Sequence, residues 1–230
     1  YVIFMDLPLV FDIEQASSGS DPFGFRPECG ARLGVMPRTG SNKDVKWIEI
    51  NPCFVFHPMN AYEEEDKIIL HVCRQNKAMV GGIDEIYGGD ETTGKLWKWT
   101  IDLESGSCFE EQIDDRPCDF ARIDDRKVGL KAKNGYTMAI DDKTDSLTFG
   151  KHLYKFDLER NERLDHYLGN NTIGGEPCFA PKNSNSSEDE GWVMSIVYDG
   201  NIDKSKLVII DTYSSDAYFF AVVLSFLSKI

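Results

Sequence analysis

LWKWTIDLESG (Leu96–Gly106) and LYKFDLERNE (Leu153–Glu162) obey one rule: aromatic, Lys, aromatic, then Asp-Leu, then a polar turn. Alternation of this kind suits a strand with one buried face, and Asp, Asn and Gly close strands with turns. An outer strand ending in Asp-Leu before a turn is common in propeller blades, which are four-stranded meanders of roughly 40–50 residues. The two copies stand about one blade apart. Two unrelated hairpins are the competing reading of the same repeat.

Outward from these copies the same texture continues. Tyr1–Leu7, Trp47–Ile50, Cys53–Phe56, Ile68–Cys73, Lys95–Asp102, Tyr136–Ile140, His152–Asp157, Gly191–Tyr198 and Lys206–Asp211 are short apolar or alternating runs closed by turn residues. They are rich in Val, Ile, Phe, Tyr and Trp, and no stretch of helical length keeps a 3.6-residue period. The chain therefore reads as all-β. Pro181–Asp189 is a polar exposed connection, and nothing resembles an interdomain linker, so residues 1–230 read as one domain.

Apolar residues make up 41% and aromatics 12% of 230 residues, enough for a packed core. The net charge of -14 repels phosphate backbones and no basic block offsets it, so nucleic acid is not expected as a partner. Six cysteines (Cys29, Cys53, Cys73, Cys108, Cys118, Cys178) show neither zinc spacing nor a dense disulfide framework, and read as reduced thiols. That favours a cytoplasmic setting, or a plastid in a plant. The opening YVIFMDLPLV has no signal-peptide layout and reads as a strand already under way.

There are four histidines. His71 lies in the strand IILHVC, where a partly buried, hydrogen-bonded ring is expected. His152 opens a strand and His166 sits in a polar stretch; no second imidazole or acid stands at ligand spacing from either. His57 differs, because an apolar strand delivers it into a Pro-rich corner, FVFHPMNAYEE. A strand end aimed at the middle of a β-structure is how a propeller lines its axis. From spacing alone, His57 is either a metal ligand or an ordinary structural histidine.

FVFHPMNAYEE is similar to the third histidine motif of the carotenoid oxygenases. That family includes plant carotenoid cleavage dioxygenases, lignostilbene dioxygenases and the vertebrate retinoid isomerase. YVIFMDLPLVF, RLGVMPR (Arg32–Arg38), CDFARIDDRKVGLKAKNGY (Cys118–Tyr136), GGEPCFAPK (Gly174–Lys182), EDEGWVMSIVYD (Glu188–Asp199) and KLVIID (Lys206–Asp211) resemble further family segments in order, over residues 1–216. The resemblance implies a seven-bladed β-propeller of the carotenoid oxygenase type, here an incomplete one of four to five blades. It implies a non-haem Fe(II) dioxygenase that cleaves a conjugated carbon–carbon double bond, with O2 and an apolar polyene or stilbene as substrates.

Four histidines bind iron in the family, and His57 matches one of them. Glu176 matches a glutamate that orients a ligand histidine. Asp119 stands where a second such glutamate is usual, one methylene shorter and followed by Ala121 in place of Pro, so direct contact with an imidazole is in doubt and a water bridge is the alternative. Glu63 and Glu64 read as a solvated turn. The other ligand histidines are expected outside the chain, and the apolar tail 217–230 departs from the family and reads as a foreign end, with a buried strand or helix as the competing reading. About ten apolar residues there are too few for a transmembrane span, which needs about 20; peripheral membrane contact is an expectation for the full-length protein only. The alternative function is an inactive propeller fragment that binds an apolar ligand or partner.

Overall fold

The computed structural model describes residues 1–78, 91–141, 148–212 and 219–220. β1 (Val2–Asp6) is followed by a hairpin of β2 (Leu9–Phe11) and β3 (Phe23–Phe25), which carries the short helix α1 (Ile13–Ser18) between its strands. β4 (Ala31–Met36) joins β1 to β5 (Lys46–Ile50) in a three-stranded antiparallel sheet. β6 (Phe54–Glu64), β7 (Lys67–Gln75), β8 (Lys95–Asp102) and β9 (Ser107–Gln112) form a four-stranded meander. β10 (Cys118–Ile123), β11 (Asn134–Asp141), β12 (Thr148–Asp157) and β13 (Glu162–Tyr167) repeat it. β14 (Thr172–Gly174) and β15 (Cys178–Pro181) both pair with β16 (Gly191–Asp199), followed by β17 (Lys204–Asp211) and β18 (Phe219–Phe220).

The repeated Asp-Leu rule has a local cause. Asp102 Oδ1 accepts the N–H groups of Glu104 and Ser105 at 2.9 and 3.0 Å, and Asp157 Oδ1 accepts those of Glu159 and Arg160 at 3.0 Å. Four residues after each Asp the backbone turns left-handed, at Gly106 (φ 68°) and Asn161 (φ 55°), residue types that tolerate that region. Leu103 and Leu158 then tuck back against the core. The strands that end this way, β8 and β12, are the third strands of their sheets and not the outer ones. The outer strands are β9 and β13, SCFEEQ and ERLDHY, whose largely exposed positions remove the apolar alternation that marks a strand in sequence.

Each sheet shares its faces with its neighbours. Ala31, Leu33, Val35, Ile48 and Ile50 of the first sheet pack against Ile68, Leu70, Val72, Trp99 and Ile101 of the second. Cys73 and Leu96, pointing to the other side of the second sheet, pack with Cys118, Ala139, Tyr154 and Phe156 of the third. Tyr136, Met138 and Leu153 on the reverse of the third meet Phe179, Val193, Val197 and Val208 of the fourth. Strands buried on both faces lose polar alternation, which is why IILHVC is a near-continuous apolar run.

All six cysteines are free thiols, as expected. Among the described residues no helix is long and apolar enough to cross a membrane. Of the tail 217–230, Phe219–Phe220 extends the sheet by pairing with Ile209 and Ile210, and the remainder lies outside the described residues.

Candidate metal-binding site

β6 opens the second sheet and β10 the third; β6 touches β10, and β10 touches β15 of the fourth. His57 lies on β6, Asp119 on β10, and Glu176 two residues before β15 begins. The sequence placed His57 in a corner after a strand ending at Phe56; instead β6 continues through Pro58 to Glu64. Pro58 is tolerated because β6 is an edge strand and its register with β7 shifts on both sides of Pro58. The irregularity falls at His57 and re-aims its side chain. Glu63 and Glu64 are accordingly strand residues, not a turn, and Glu64 pairs with Lys131 Nζ at 2.5 Å.

His57 Nδ1 lies 2.9 Å from Asp119 Oδ1. The shorter Asp side chain reaches the ring directly, without a bridging water. A second bulge makes this happen: β10 gains one residue against β11 between Asp119 and Arg122, and Phe120 within it takes φ 55°. The same Asp119 oxygen accepts the Phe120 N–H at 2.8 Å, and the Phe120 ring meets the imidazole edge-on at 5.2 Å between centroids.

The Asp119 side chain is 6% exposed and the His57 ring 41%. Burial raises the Asp119 pKa, opposed by the adjacent His57 and by the Phe120 N–H. A carboxylate oxygen that already accepts an amide N–H favours the imidazole tautomer with its hydrogen on Nδ1. Nε2, with its lone pair, is then directed away from the carboxylate. An imidazole whose far nitrogen is held by a carboxylate while the near one stays open is the usual form of a histidine metal ligand.

Glu176 does not meet an imidazole among the described residues. Its Oε1 accepts from Arg122 Nη1 at 3.0 Å, while Arg122 Nη2 bonds Asp125 at 3.1 Å. Arg122 belongs to the strand that supplies Asp119, so the three positions expected from sequence fall on one linked row. Phe120 and Arg122 were not singled out in the sequence. Their signal was present, as the residues flanking the Pro-to-Ala departure in CDFARI.

His71 is buried on β7 as expected, but its Nδ1 finds no hydrogen-bond partner. Among the described residues no three of His, Cys, Asp and Glu are grouped to hold a metal. The described donors therefore fit one ligand position with its orienting carboxylate, and not a complete cage.

Residues 1–224 match the family model described as RPE65, retinal pigment epithelial membrane protein. The carotenoid cleavage oxygenase of Mycobacterium tuberculosis is 31% identical over 210 residues, spanning 88% of this chain and 42% of that protein. The cobalt-substituted apocarotenoid oxygenase of Synechocystis superposes with a TM-score of 0.82 at 26% identity, over 94% of this chain and 47% of that one. The lignostilbene dioxygenase of Pseudomonas brassicacearum gives 0.79 at 26% identity, over 93% and 48%. The chain spans less than half the length of these relatives and matches roughly their C-terminal half. The four larger sheets among its described residues are blades of an incomplete propeller of the type these oxygenases have, and the chain belongs to the RPE65 family of carotenoid oxygenases.

Proposed function

We propose that this chain is part of a non-haem Fe(II) dioxygenase that cleaves a conjugated carbon–carbon double bond of a carotenoid, apocarotenoid or stilbene. The observation that carries the reading is the 2.9 Å contact between His57 Nδ1 and Asp119 Oδ1, which engages the ring through Nδ1 and leaves Nε2 outside that contact, on the edge strand β6. His57 supplies one imidazole to Fe(II), a metal that suits nitrogen donors. Asp119 fixes its tautomer and ring direction. Glu176, held by Arg122 one strand further along the row, is assigned to orienting another ligand histidine outside this chain. Iron bound there supplies the activation of O2 for its addition across the double bond. The protein's own part is to hold Nε2 unprotonated and fixed in direction.

The absence of a three-donor cluster among the described residues favours a second reading for the chain taken alone: a catalytically inactive propeller fragment that binds an apolar ligand or partner. One experiment separates the two. In the polypeptide that carries every iron ligand, His57→Ala is expected to abolish iron retention and the O2-dependent loss of polyene absorbance. Asp119→Asn is expected to weaken metal affinity about 10–100-fold. The 230-residue chain by itself is expected to lose iron on desalting and to leave the polyene spectrum unchanged. Stoichiometric iron retained by His57→Ala would sink the ligand assignment.

A further inference from the structure

The Asp119–His57 contact has an unusual support. An aspartate at this place is one methylene short, yet it reaches the ring because the strand bulges at the next residue. That residue is Phe120, with φ 55°. A left-handed conformation costs a non-glycine residue roughly 1–2 kcal/mol, and an aromatic side chain gives none of the local hydrogen bonding that lets Asn or Asp adopt it. Non-glycine residues persist there only when their surroundings hold them.

Three contacts hold Phe120, and two of them act on the candidate ligand. Its N–H bonds Asp119 Oδ1 at 2.8 Å, the same oxygen that lies 2.9 Å from His57 Nδ1. Its ring stands edge-on to the imidazole, with centroids 5.2 Å apart and planes at 63°. Its partly buried side chain also packs on the core shared by the third and fourth sheets. The ring is thus anchored in one inter-sheet core while touching a residue of the second sheet.

We propose that Phe120 is a positioning residue for His57. Its left-handed backbone carries the Asp119 carboxylate forward by the distance the missing methylene would have covered. Its N–H fixes which oxygen faces Nδ1, and its ring blocks rotation of the imidazole out of the Nδ1–Oδ1 line. The proposal deepens the iron reading by naming what sets the ligand's direction. The orientation of His57 can be measured without metal, so the two stand or fall separately.

The test uses the chain with 15N-labelled histidine, reading the two imidazole nitrogens of His57 by NMR at a pH where the ring is neutral. The wild type is expected to show mainly the Nδ1–H tautomer with sharp ring signals. Phe120→Val is β-branched and resists the left-handed region; it is expected to move the population towards Nε2–H. Phe120→Gly accepts the same backbone without strain; it is expected to keep Nδ1–H but broaden the ring signals. Phe120→Tyr should restore both features. A Val variant that keeps the tautomer, or a Gly variant with ring signals as sharp as the wild type, overturns the proposal. If Phe120→Val does not fold, the Gly variant decides alone. Co(II) added to the polypeptide that carries every iron ligand tests the ligand reading independently, through paramagnetic broadening at His57. Tautomer selection in the chain without that broadening in the complete polypeptide sinks the ligand reading and leaves the positioning role intact.

Discussion

His57 and His71 stand fourteen positions apart on adjacent strands, and their environments set opposite tasks. His71 is 1% exposed, stacks on Tyr62 at 6.3 Å, and has an Nδ1 with no partner. Burial, with help from the Lys98 charge, lowers its pKa from 6.5 to about 4. Below pH 6.5 the unfolded chain takes a proton that the folded chain refuses, so stability falls as the pH drops from 6.5 towards about 4. At about 1.36 kcal/mol per unit, the full effect is about 3 kcal/mol. His71→Leu removes the titrating ring, and its stability should fall less over that window. Urea midpoints of both proteins at pH 7 and pH 4.5 check this; parallel losses would refute it. The sequence disclosed that His71 sits in a strand, and motif likeness marked His57. Neither disclosed that the Nδ1 of His71 lacks a hydrogen-bond partner, because that depends on what packs around the strand. The reach of Asp119 was hidden for the same kind of reason: side-chain length is written in the sequence, but a bulge at a neighbouring phenylalanine is not.

At the scale of elements, the strands that were legible are those with one or two apolar faces, such as β8, whose expected bounds Lys95–Asp102 match the observed ones. The outer strands β9 and β13 escaped notice because exposed edges carry polar residues on both faces. β6 was cut short at Phe56 because Pro58 looks like a terminator, and an edge position makes it harmless. The join of β15 to β16 depends on a glycine. A Cβ at Gly191 would lie 2.3 Å from the Ala180 carbonyl oxygen and 2.8 Å from the Phe179 ring. Neither can retreat easily, since Ala180 is in the ladder and Phe179 is in the core. Gly191→Ala should therefore destabilise the protein by about 1–3 kcal/mol, the usual cost of overpacking. It should also disturb the Arg122–Glu176 contact, because Glu176 leads directly into β15. Chemical denaturation reads the first effect, and an unchanged midpoint would show that β15 separates from β16 at no cost.

Over the whole molecule, the all-β class and the blade repeat were readable from the paired Asp-Leu segments, since turn chemistry and alternation are local. The order in which sheets stack was not, because it depends on contacts between strands far apart in sequence. The stack has no private interiors: each of the three cores is made half by one sheet and half by the next. For the chain by itself, amides of β7, β8, β11 and β12, in sheets flanked on both sides, should exchange with deuterium more slowly than those of β4, β16 and β17. Equal protection in β16–β17 and β11–β12 would contradict this. Energetically such a stack behaves as a row of coupled units, in which stability resides in the joints as much as in the sheets. A cavity opened in a joint weakens two neighbours at once, while loss of an end sheet removes a single joint. For the chain taken by itself, fraying is then expected to begin at the first and fourth sheets and travel inward, with His57 and Asp119, contributed by the two middle sheets, released last.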